Sequence, residues 1–344
     1  MKKGESAIEM LVNKYLEMLA KGIVPWRRPW KLGELPTNLI SKKPYRGINL
    51  WYLMATIMNQ NYSRPFFLTK TQALTRWGYK YDSKSKTWTW DRKSQEPVEL
   101  DLLGKGLVKK DEKAHIVVYW KWFKFKEKDD SGQETGRTKT YPKVFFYWVY
   151  NVDQLNLPEG AIPEPVQGKV WNEQDQNESA ERIITEYVSA KRGGPKYSET
   201  QSDRAFYSPT YDKVVVPKRE QYGHMAEFYT TAFHELCHST GHGSRLKRKE
   251  VTDTAFFGSH SYSSEELVAE MGAALLASEC GFQEQVVENS AAYIAAWMNR
   301  LSNDKNLLWQ AAQRAQKAVD YILDRKPEEA KEEADGSEKV PATA

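Results

Sequence analysis

The N-terminal residues alternate apolar and polar positions with the period of an α-helix. The apolar members share one stripe: Ile8, Leu11, Val12, Tyr15, Leu16 and Leu19. We expect an amphipathic helix within a folded domain and not a signal peptide, because no unbroken apolar run follows the N-terminal lysines. No window approaches 18 consecutive apolar residues, so the pattern predicts no membrane-spanning segment.

Beyond this helix, the first half of the chain has the pattern of short strands and turns. Residues 113–126 and 143–152 are rich in β-branched and aromatic side chains, and a polar, glycine-containing segment connects them. These features predict a hairpin with a long tip. A smaller hairpin is predicted at 79–91, where Trp88 and Trp90 alternate with threonines. The overall pattern favours an α+β fold whose first half contains an antiparallel sheet.

The pattern changes after residues 157–168, which contain three prolines and two glycines. Helical spacing dominates from there on, and one strand is predicted at 212–218. Helices are expected within 178–190, 226–240, 263–280 and 290–325. The predicted domain organisation is a first domain at 1–156, a linker at 157–170, a mostly helical second domain at 171–326 and a disordered acidic tail at 327–344.

The two halves of the chain differ in net charge. Residues 1–150 carry 29 Lys and Arg against 15 Asp and Glu, whereas the remaining residues carry 21 against 31. The basic half indicates a polyanionic partner, although lysines that only solvate a β-rich surface would produce the same count. Two cysteines, Cys237 and Cys280, make a disulfide framework implausible and favour a reducing compartment. We therefore expect a cytoplasmic protein.

The segment HELCHSTGH at 234–242 contains the metal-binding pattern HExxH. On a helix, His234 and His238 lie one turn apart and can direct both imidazoles at one ion, Zn²⁺ or another divalent metal. Glu235 is then placed to act as the catalytic base. Gly241 is expected to end the helix in a left-handed conformation.

A third ligand is needed to separate a metal site from a coincidental pair of histidines. Glu266 is the favoured candidate, and Glu270, one turn further on, is expected to hold a ligand imidazole. Two alternatives stay open. Glu265 is the neighbouring ligand candidate, and Ser263 with Glu266 also has the spacing of a helix capping box.

Other polar groups near the motif have secondary roles in this interpretation. His242 follows Gly241 too closely for the metzincin pattern, so we expect it to support a ligand, to face the substrate or to be simply a polar residue. Tyr262 and His260 are candidates for stabilising a developing oxyanion. The strand at 212–218 is either a candidate edge strand for an extended peptide or an ordinary strand of a sheet.

Aromatic and basic residues are interleaved in the first half, which holds nine of the twelve tryptophans. Single-stranded nucleic acid binds such surfaces because bases stack on flat rings while lysine and arginine follow the phosphates. Filling a core is the competing role for the same aromatics. The candidate DNA-binding residues are Trp26, Arg27, Arg28, Trp30, Tyr45, Arg46, Trp77, Lys109, Lys110 and Lys121.

Several long segments, in the same order, resemble the ArdC-type antirestriction proteins of conjugative plasmids. In the first half they are IVPWRRPW, NLISKKPYRGIN, FLTKTQAL, LVKKDEKAHIVVYWK and VFFYWVYNVDQLNLP. In the second half they are AFYSPTYDKVVVP, FYTTAFHELCHSTGHGSRL, YSSEELVAEMGAALL and AQKAVDYIL.

This resemblance implies an N-terminal domain that binds single-stranded DNA and a C-terminal zincin-like metallopeptidase domain. It implies His234, His238 and Glu266 as metal ligands, Glu235 as the catalytic carboxylate, and protection of incoming DNA from host restriction. A host protein is the implied peptide substrate. Two other functions remain open: a metallopeptidase whose basic half recognises an acidic protein, and a DNA-protecting module whose metal is structural.

Overall fold

The computed structural model describes residues 6–27, 35–90, 106–128, 133–157, 162, 172–252, 260–282 and 291–326. Its helices are α1 (Ala7–Leu19), α2 (Gly47–Gln60), α3 (Lys70–Arg76), α4 (Glu173–Val188), α5 (Met225–Ser239), α6 (Lys249–Thr252), α7 (His260–Glu279), α8 (Ala291–Asn303) and α9 (Lys305–Ile322). Its strands are β1 (Thr37–Asn38), β2 (Phe66–Leu68), β3 (Tyr79–Asp82), β4 (Thr87–Trp90), β5 (His115–Lys128), β6 (Glu134–Asn151), β7 (Lys196–Thr200), β8 (Phe206–Ser208) and β9 (Lys213–Pro217).

The chain folds as α+β, as its patterns predict, and forms two compact units. The first unit contains residues 1–15, 37–43 and 66–163, and the second contains 16–36, 44–65 and 164–344. Neither the predicted linker, apart from residues 157 and 162, nor the predicted tail lies within the described residues. None of the described helices is long and apolar enough to cross a membrane.

The first unit is built on a four-stranded sheet with the order β1-β2-β6-β5. Its strands pair in antiparallel fashion except for the short β1–β2 pair. Phe66, Leu68, Leu74 and Trp77 belong to the apolar cluster that packs against it. The predicted 79–91 hairpin is present as β3 and β4, which pair from Tyr79 with Trp90 to Asp82 with Thr87.

The large hairpin differs from the prediction in its tip. β5 extends to Lys128 and β6 begins at Glu134, so most of the segment expected to be a polar connection is paired strand. The outer strand residues include Thr135, Arg137 and Lys139, which are exposed. Sequence patterns identify strands mainly by half-buried apolar positions, and this ribbon extends beyond the apolar core.

The helix α2 was not predicted, because the first half was interpreted as strands and turns after a single helix. Its residues from Gly47 to Thr56 are buried except Asn49, and it packs on α9 within the second unit. A helix that is apolar around most of its circumference lacks the one-sided stripe by which surface helices are identified. The grouping of α2 with α9 therefore differs from the domain boundary drawn along the chain at residue 156.

The second unit combines α2 and the helices from α4 onwards with a three-stranded sheet of order β7-β9-β8. β9 pairs in parallel with β7 and antiparallel with β8, so it is the central strand. Among the described strands it therefore fits the interpretation as an ordinary sheet strand and not that as an edge strand. Val214, Val215 and Val216 are all buried, and such an unbroken apolar run is typical of a strand covered on both faces.

Candidate functional site

The helix α5 presents its histidines on the side opposite an apolar stripe. Phe228, Phe233 and Leu236 are fully buried on the stripe. His234 and His238 project together, with ring centroids 4.8 Å apart, and retain 25% and 14% side-chain exposure. One helical turn thus separates two nitrogen donors that both remain accessible at the surface of the unit.

Glu266 on α7 completes a triangle with the two histidines. Its carboxylate oxygens lie 3.5 Å from the Nε2 atoms of His234 and His238, and those nitrogens are 3.1 Å apart. One ligand atom from each residue lies within 4.8 Å of the others. Donors at 2.0–2.2 Å from a tetrahedral Zn²⁺ would be separated by roughly 3.3–3.5 Å. The three side chains therefore fit one divalent metal ion without rearrangement of the helices.

The position of α7 excludes the capping-box alternative for Glu266. α7 is already helical at His260, so Ser263 lies inside the helix and not at its start. Close packing of α5 and α7 sets this geometry. A Cβ atom at Gly272 would lie 2.5 Å from the Sγ atom of Cys237, which is buried.

Glu265, the neighbouring candidate, contacts a ligand imidazole. Its Oε1 atom lies 3.2 Å from Nδ1 of His238, on the side of the ring away from the triangle. A carboxylate at Nδ1 favours the tautomer whose Nε2 atom is free to bind a metal. Glu265 is therefore oriented as a support for His238.

Arg248 in turn holds Glu265. Its Nε and Nη2 atoms donate to the two carboxylate oxygens of Glu265 at 2.8 and 2.6 Å. The same guanidinium donates to Thr240 Oγ1 at 2.7 Å and to the carbonyl of Cys237 at 2.8 Å. Both members of this ion pair have 6% side-chain exposure. Such a buried bidentate pair fixes orientation as well as charge.

The acidic groups control the charge of the site. Burial alone would lower the pKa of His238, but hydrogen bonds to Glu265 and Glu266 outweigh it and raise that pKa to about 10. Burial would raise the pKa of each glutamate, yet His238 lowers both, with Arg248 acting on Glu265 and His234 on Glu266. The two carboxylates thus favour the charged form of His238, and a metal ion at Nε2 would compete with a proton for that nitrogen.

The segment that follows α5 differs from its predicted form. The helix ends at Ser239, Thr240 is right-handed, and Gly241 does not have the positive φ that was expected of it. Gly241 is instead a point of close approach, because a Cβ there would lie 2.5 Å from Val251 and 3.0 Å from Arg248. The missing side chain lets Arg248 reach the end of α5.

The other residues predicted for this site are not part of the triangle. Glu235 is 8% exposed, beside His234 in the helix. His242 lies beyond the helix, with its Nδ1 atom 2.8 Å from Ser244 Oγ, and is not one of the three grouped donors. Tyr262 and His260 fall in the first turn of α7, where side chains lie outside the described part of the structure.

Two arginines that support the site were missed by sequence reasoning. Besides Arg248, the guanidinium of Arg245 donates to the carbonyl of Ser239 at 2.8 Å and to Asp212 at 2.9 Å. It thereby ties the end of α5 to the segment that leads into β9. The motif is followed by the letters SRLKR, but nothing in that stretch separates a buried arginine from a solvated one.

Most of the predicted DNA-binding aromatics are core residues. Trp26 is 5% exposed and packs edge-on against Trp51 and Trp297, at centroid distances of 6.5 and 6.3 Å. Tyr45 and Trp77 are 8% and 4% exposed. Buried rings are not available for stacking with bases, so in the described structure these three aromatics have the competing role of filling the core. Sequence pattern could not decide this because core and stacking aromatics have the same composition.

The predicted basic contacts have mixed positions. Arg46 pairs with Asp320, and Lys109 donates from Nζ to the carbonyl of Asp153 at 2.7 Å. Lys110 is exposed, and Lys121 lies on β5, directly opposite Lys143. Arg28, Trp30 and the side chain of Arg27 lie outside the described residues.

Family models match both halves of the chain. Residues 5–152 match the N-terminal domain of anti-restriction factor ArdC, and residues 189–314 match a zincin-like metallopeptidase. The second match contains the histidine motif and Glu266.

Two relatives of known sequence are DNA primases. The chain is 33% and 30% identical to two DNA primases TraC of Escherichia coli, over 92% of its own length in each case. It spans only 20% and 27% of the lengths of those primases.

Solved structures of the antirestriction ArdC protein from the R388 plasmid have the same fold. Its metal-free crystal structure is 26% identical, with a TM-score of 0.61 over 92% of this chain and 97% of that one. Its Mn(II)-bound structure is 24% identical, with a TM-score of 0.62 over 93% and 98%. With an ArdC N-terminal domain followed by a zincin-like domain, the chain is an ArdC-type protein.

Proposed function

We propose that this chain is an antirestriction protein of a mobile element, which binds single-stranded DNA and carries a divalent-metal site of the metallopeptidase type. The observation that carries the metal site is the convergence of His234, His238 and Glu266 within 4.8 Å. Membership of the ArdC-type family supports the proposed protection of incoming DNA. The excess of basic residues in the first 150 positions supports a polyanionic partner.

The proposed ligands are Nε2 of His234, Nε2 of His238 and the carboxylate of Glu266. Two imidazoles and one carboxylate are a ligand set that Zn²⁺ favours in catalytic sites. The R388 ArdC protein has been crystallised with Mn(II), so Mn²⁺ is the competing metal. A bound divalent ion would provide Lewis-acid activation of water and of a substrate carbonyl.

Glu235 is the proposed general base and general acid. Its carboxylate accepts a proton from the attacking water and returns it to the leaving amine as the peptide C–N bond breaks. Glu265 and Arg248 hold His238 in the orientation that the site needs. The proposed peptide substrate is a host protein.

Conjugation into a restricting recipient tests the proposed biological role. Expression of the protein should raise the transfer frequency of an unmodified plasmid into that recipient and leave transfer into a restriction-deficient recipient unchanged. Equal transfer with and without the protein would refute the antirestriction function.

The variant Glu235→Gln tests the role of hydrolysis. It should retain metal and single-stranded DNA, since Glu235 is not a proposed ligand, and should lose cleavage of an unfolded probe such as denatured casein. If protection of the plasmid survives this change, proteolysis is not how the protein works, and the metal has a structural role. If the wild type binds acidic polypeptide but not single-stranded DNA at low salt, the basic half is a protein-recognition module.

A further inference from the structure

The outer part of the β5–β6 hairpin is a two-stranded ribbon in the described structure. β2 pairs with β6 only at Asn151 and Tyr150, whereas the β5–β6 register continues outward to Lys126 and Thr138. Directly opposite residues of an antiparallel pair point to the same face. The β5–β6 register therefore assigns each paired side chain of the ribbon to one of two faces.

One face carries a continuous row of aromatic rings, which we call the aromatic ladder. Its members are Tyr147, Tyr119, Phe145, Phe123, Tyr141 and Phe125, in order along the ribbon. Successive centroids are 5.8, 5.6, 6.0, 5.7 and 5.6 Å apart. Two cross-strand pairs, Tyr119–Phe145 and Phe123–Tyr141, are stacked with interplanar angles of 26° and 25°.

The ladder is accessible to a ligand at its outer end. Tyr141 and Phe125 are 47% and 44% exposed. Phe123 and Phe145 are half-buried, with their ring centroids 6.0 Å apart. Aromatic rings that are this exposed can stack with flat groups of a partner molecule.

The face that carries the ladder also carries a pair of lysines. Lys121 and Lys143 are directly opposite each other, between the two stacked pairs, and Lys143 Nζ lies 5.6 Å from the centroid of Phe145. A polyanion bound along this face would place its negative charges beside both lysines.

The charge of the whole ribbon has the same sign. Residues 115–128 and 133–151 contain seven Lys and Arg against two Glu. The partner that fits must therefore combine negative charge with flat apolar faces. Single-stranded DNA has both, because its bases are unstacked while its phosphates remain charged. In a duplex the faces of the bases are covered by neighbouring bases, and an acidic peptide lacks them.

We propose that the aromatic ladder is the surface on which single-stranded DNA lies, with bases on the stacked ring pairs and phosphates at Lys121 and Lys143. This assignment rests on the proposed DNA-binding function and gives it a location. It replaces the buried tryptophans of the sequence-based prediction.

The opposite face of the ribbon provides a matched control. Trp122 lies there, opposite Pro142, and is 65% exposed. It is a larger and more exposed aromatic than any ring of the ladder. A surface that bound DNA through exposed aromatics in general would depend on Trp122 at least as strongly as on Tyr141.

The test is fluorescence anisotropy of the full-length protein with a labelled oligothymidylate. Tyr141→Ala and Phe123→Ala should each weaken binding by about 5- to 100-fold, the effect typical of losing one stacked base. Tyr141→Phe should bind like the wild type, and Trp122→Ala should stay within about twofold. Lys121→Ala with Lys143→Ala should flatten the slope of affinity against salt by about one to two units. Circular dichroism and thermal melts check that each variant is folded.

The outcomes separate the two proposals. A wild type that does not bind the oligonucleotide at low salt refutes DNA binding itself. If the wild type binds and folded ladder variants bind as tightly as Trp122→Ala, the DNA lies elsewhere and only the location is wrong. A larger loss for Trp122→Ala than for Tyr141→Ala would move the interface to the opposite face and overturn the ladder assignment.

Discussion

At the scale of single residues, two neighbouring glutamates have different tasks. Glu266 faces both Nε2 atoms of the histidines, whereas Glu265 lies between His238 Nδ1 and Arg248. A one-residue step on a helix rotates a side chain by about 100°, so the pair faces two directions. The sequence could name both residues as candidates but could not tell which of them faces the histidines.

Substitution by glutamine should separate these tasks. Glu266→Gln should greatly reduce metal affinity and destabilise the metal-free protein less than Glu265→Gln does, because the Glu266 side chain is 26% exposed and that of Glu265 is 6% exposed. Glu265→Gln should lower metal affinity by roughly 10- to 100-fold, because His238 loses its support. It should also destabilise the metal-free protein by about 3 kcal/mol or more, since the buried Arg248 loses its counter-charge.

Chelator competition measures the affinities, and thermal melts without metal measure the stabilities. The opposite pattern, with a destabilised Glu266→Gln and a stable Glu265→Gln, would exchange the two roles. The conservative pair of changes keeps side-chain volume constant, so packing does not contribute to the difference.

A second residue-scale prediction concerns His115 in the first unit. It is 8% exposed and packs edge-on against Phe67 at 6.2 Å. Burial and the charge of Lys14 lower its pKa from 6.5 to about 4, despite a hydrogen bond with Gln154. The unfolded chain therefore binds more protons between these values. Stability present above about pH 6.5 should be lost as the pH falls towards 4, by on the order of 2–3 kcal/mol.

Denaturant titrations at pH values from about 7 to about 4.5 check this dependence. His115→Gln should remove this part of the acid sensitivity of the first unit. The same change at the exposed His224 is the control and should leave the profile unchanged. An identical pH profile for His115→Gln and the wild type would contradict the assignment.

At the scale of elements, local pattern predicted which segments form helices and strands better than it predicted their partners. The predicted segments around α1, α5, α7, α9 and β9 contain elements of the expected type. The missed helix α2 and the edge-strand interpretation of β9 share a physical cause. Both are apolar on nearly all sides, and burial on all sides removes the period that would identify the neighbour.

The contact between α5 and α7 supports an element-scale prediction. Gly272→Ala should destabilise the second unit by about 1–3 kcal/mol, because the added methyl overlaps Cys237 Sγ between two packed helices. It should also weaken metal binding, since α7 carries Glu266. Combining it with Cys237→Ala should recover much of the loss, which a double-mutant cycle of thermal melts measures.

Gly243→Ala is the control, because its Cβ would meet no heavy atom closer than 4.0 Å. It should change stability by only a few tenths of a kcal/mol. If the effects of Gly272→Ala and Cys237→Ala on the free energy of unfolding are additive, contact with Cys237 is not the reason that position 272 needs a glycine.

At the scale of the whole molecule, the metal triangle and the aromatic ladder belong to different compact units. Removal of metal by a chelator should lower the melting temperature of the second unit, and Zn²⁺ or Mn²⁺ should restore it. The expected stabilisation is about 2.7 kcal/mol when free metal is a hundredfold above its dissociation constant. Affinity for single-stranded DNA should not change, since no ladder residue is a proposed ligand.

Calorimetry with and without chelator, beside anisotropy on the same samples, tests this independence. Glu235→Gln should keep the metal-dependent stabilisation, and Glu266→Gln should lose it. A metal-dependent DNA affinity would mean that the two functions are coupled.

The sequence by itself determined the features that depend on neighbours along the chain. The spacing of His234 and His238 places two imidazoles on one helical face. The excess of lysine and arginine identifies the first half of the chain as basic. Only the tertiary structure decided which glutamate meets those histidines, which arginine holds the other glutamate, and which aromatics are buried. Those choices depend on helix packing and strand register between segments far apart in the chain. The pattern of side chains along the chain indicates whether a surface is apolar or charged, but it does not indicate which other segment packs against that surface.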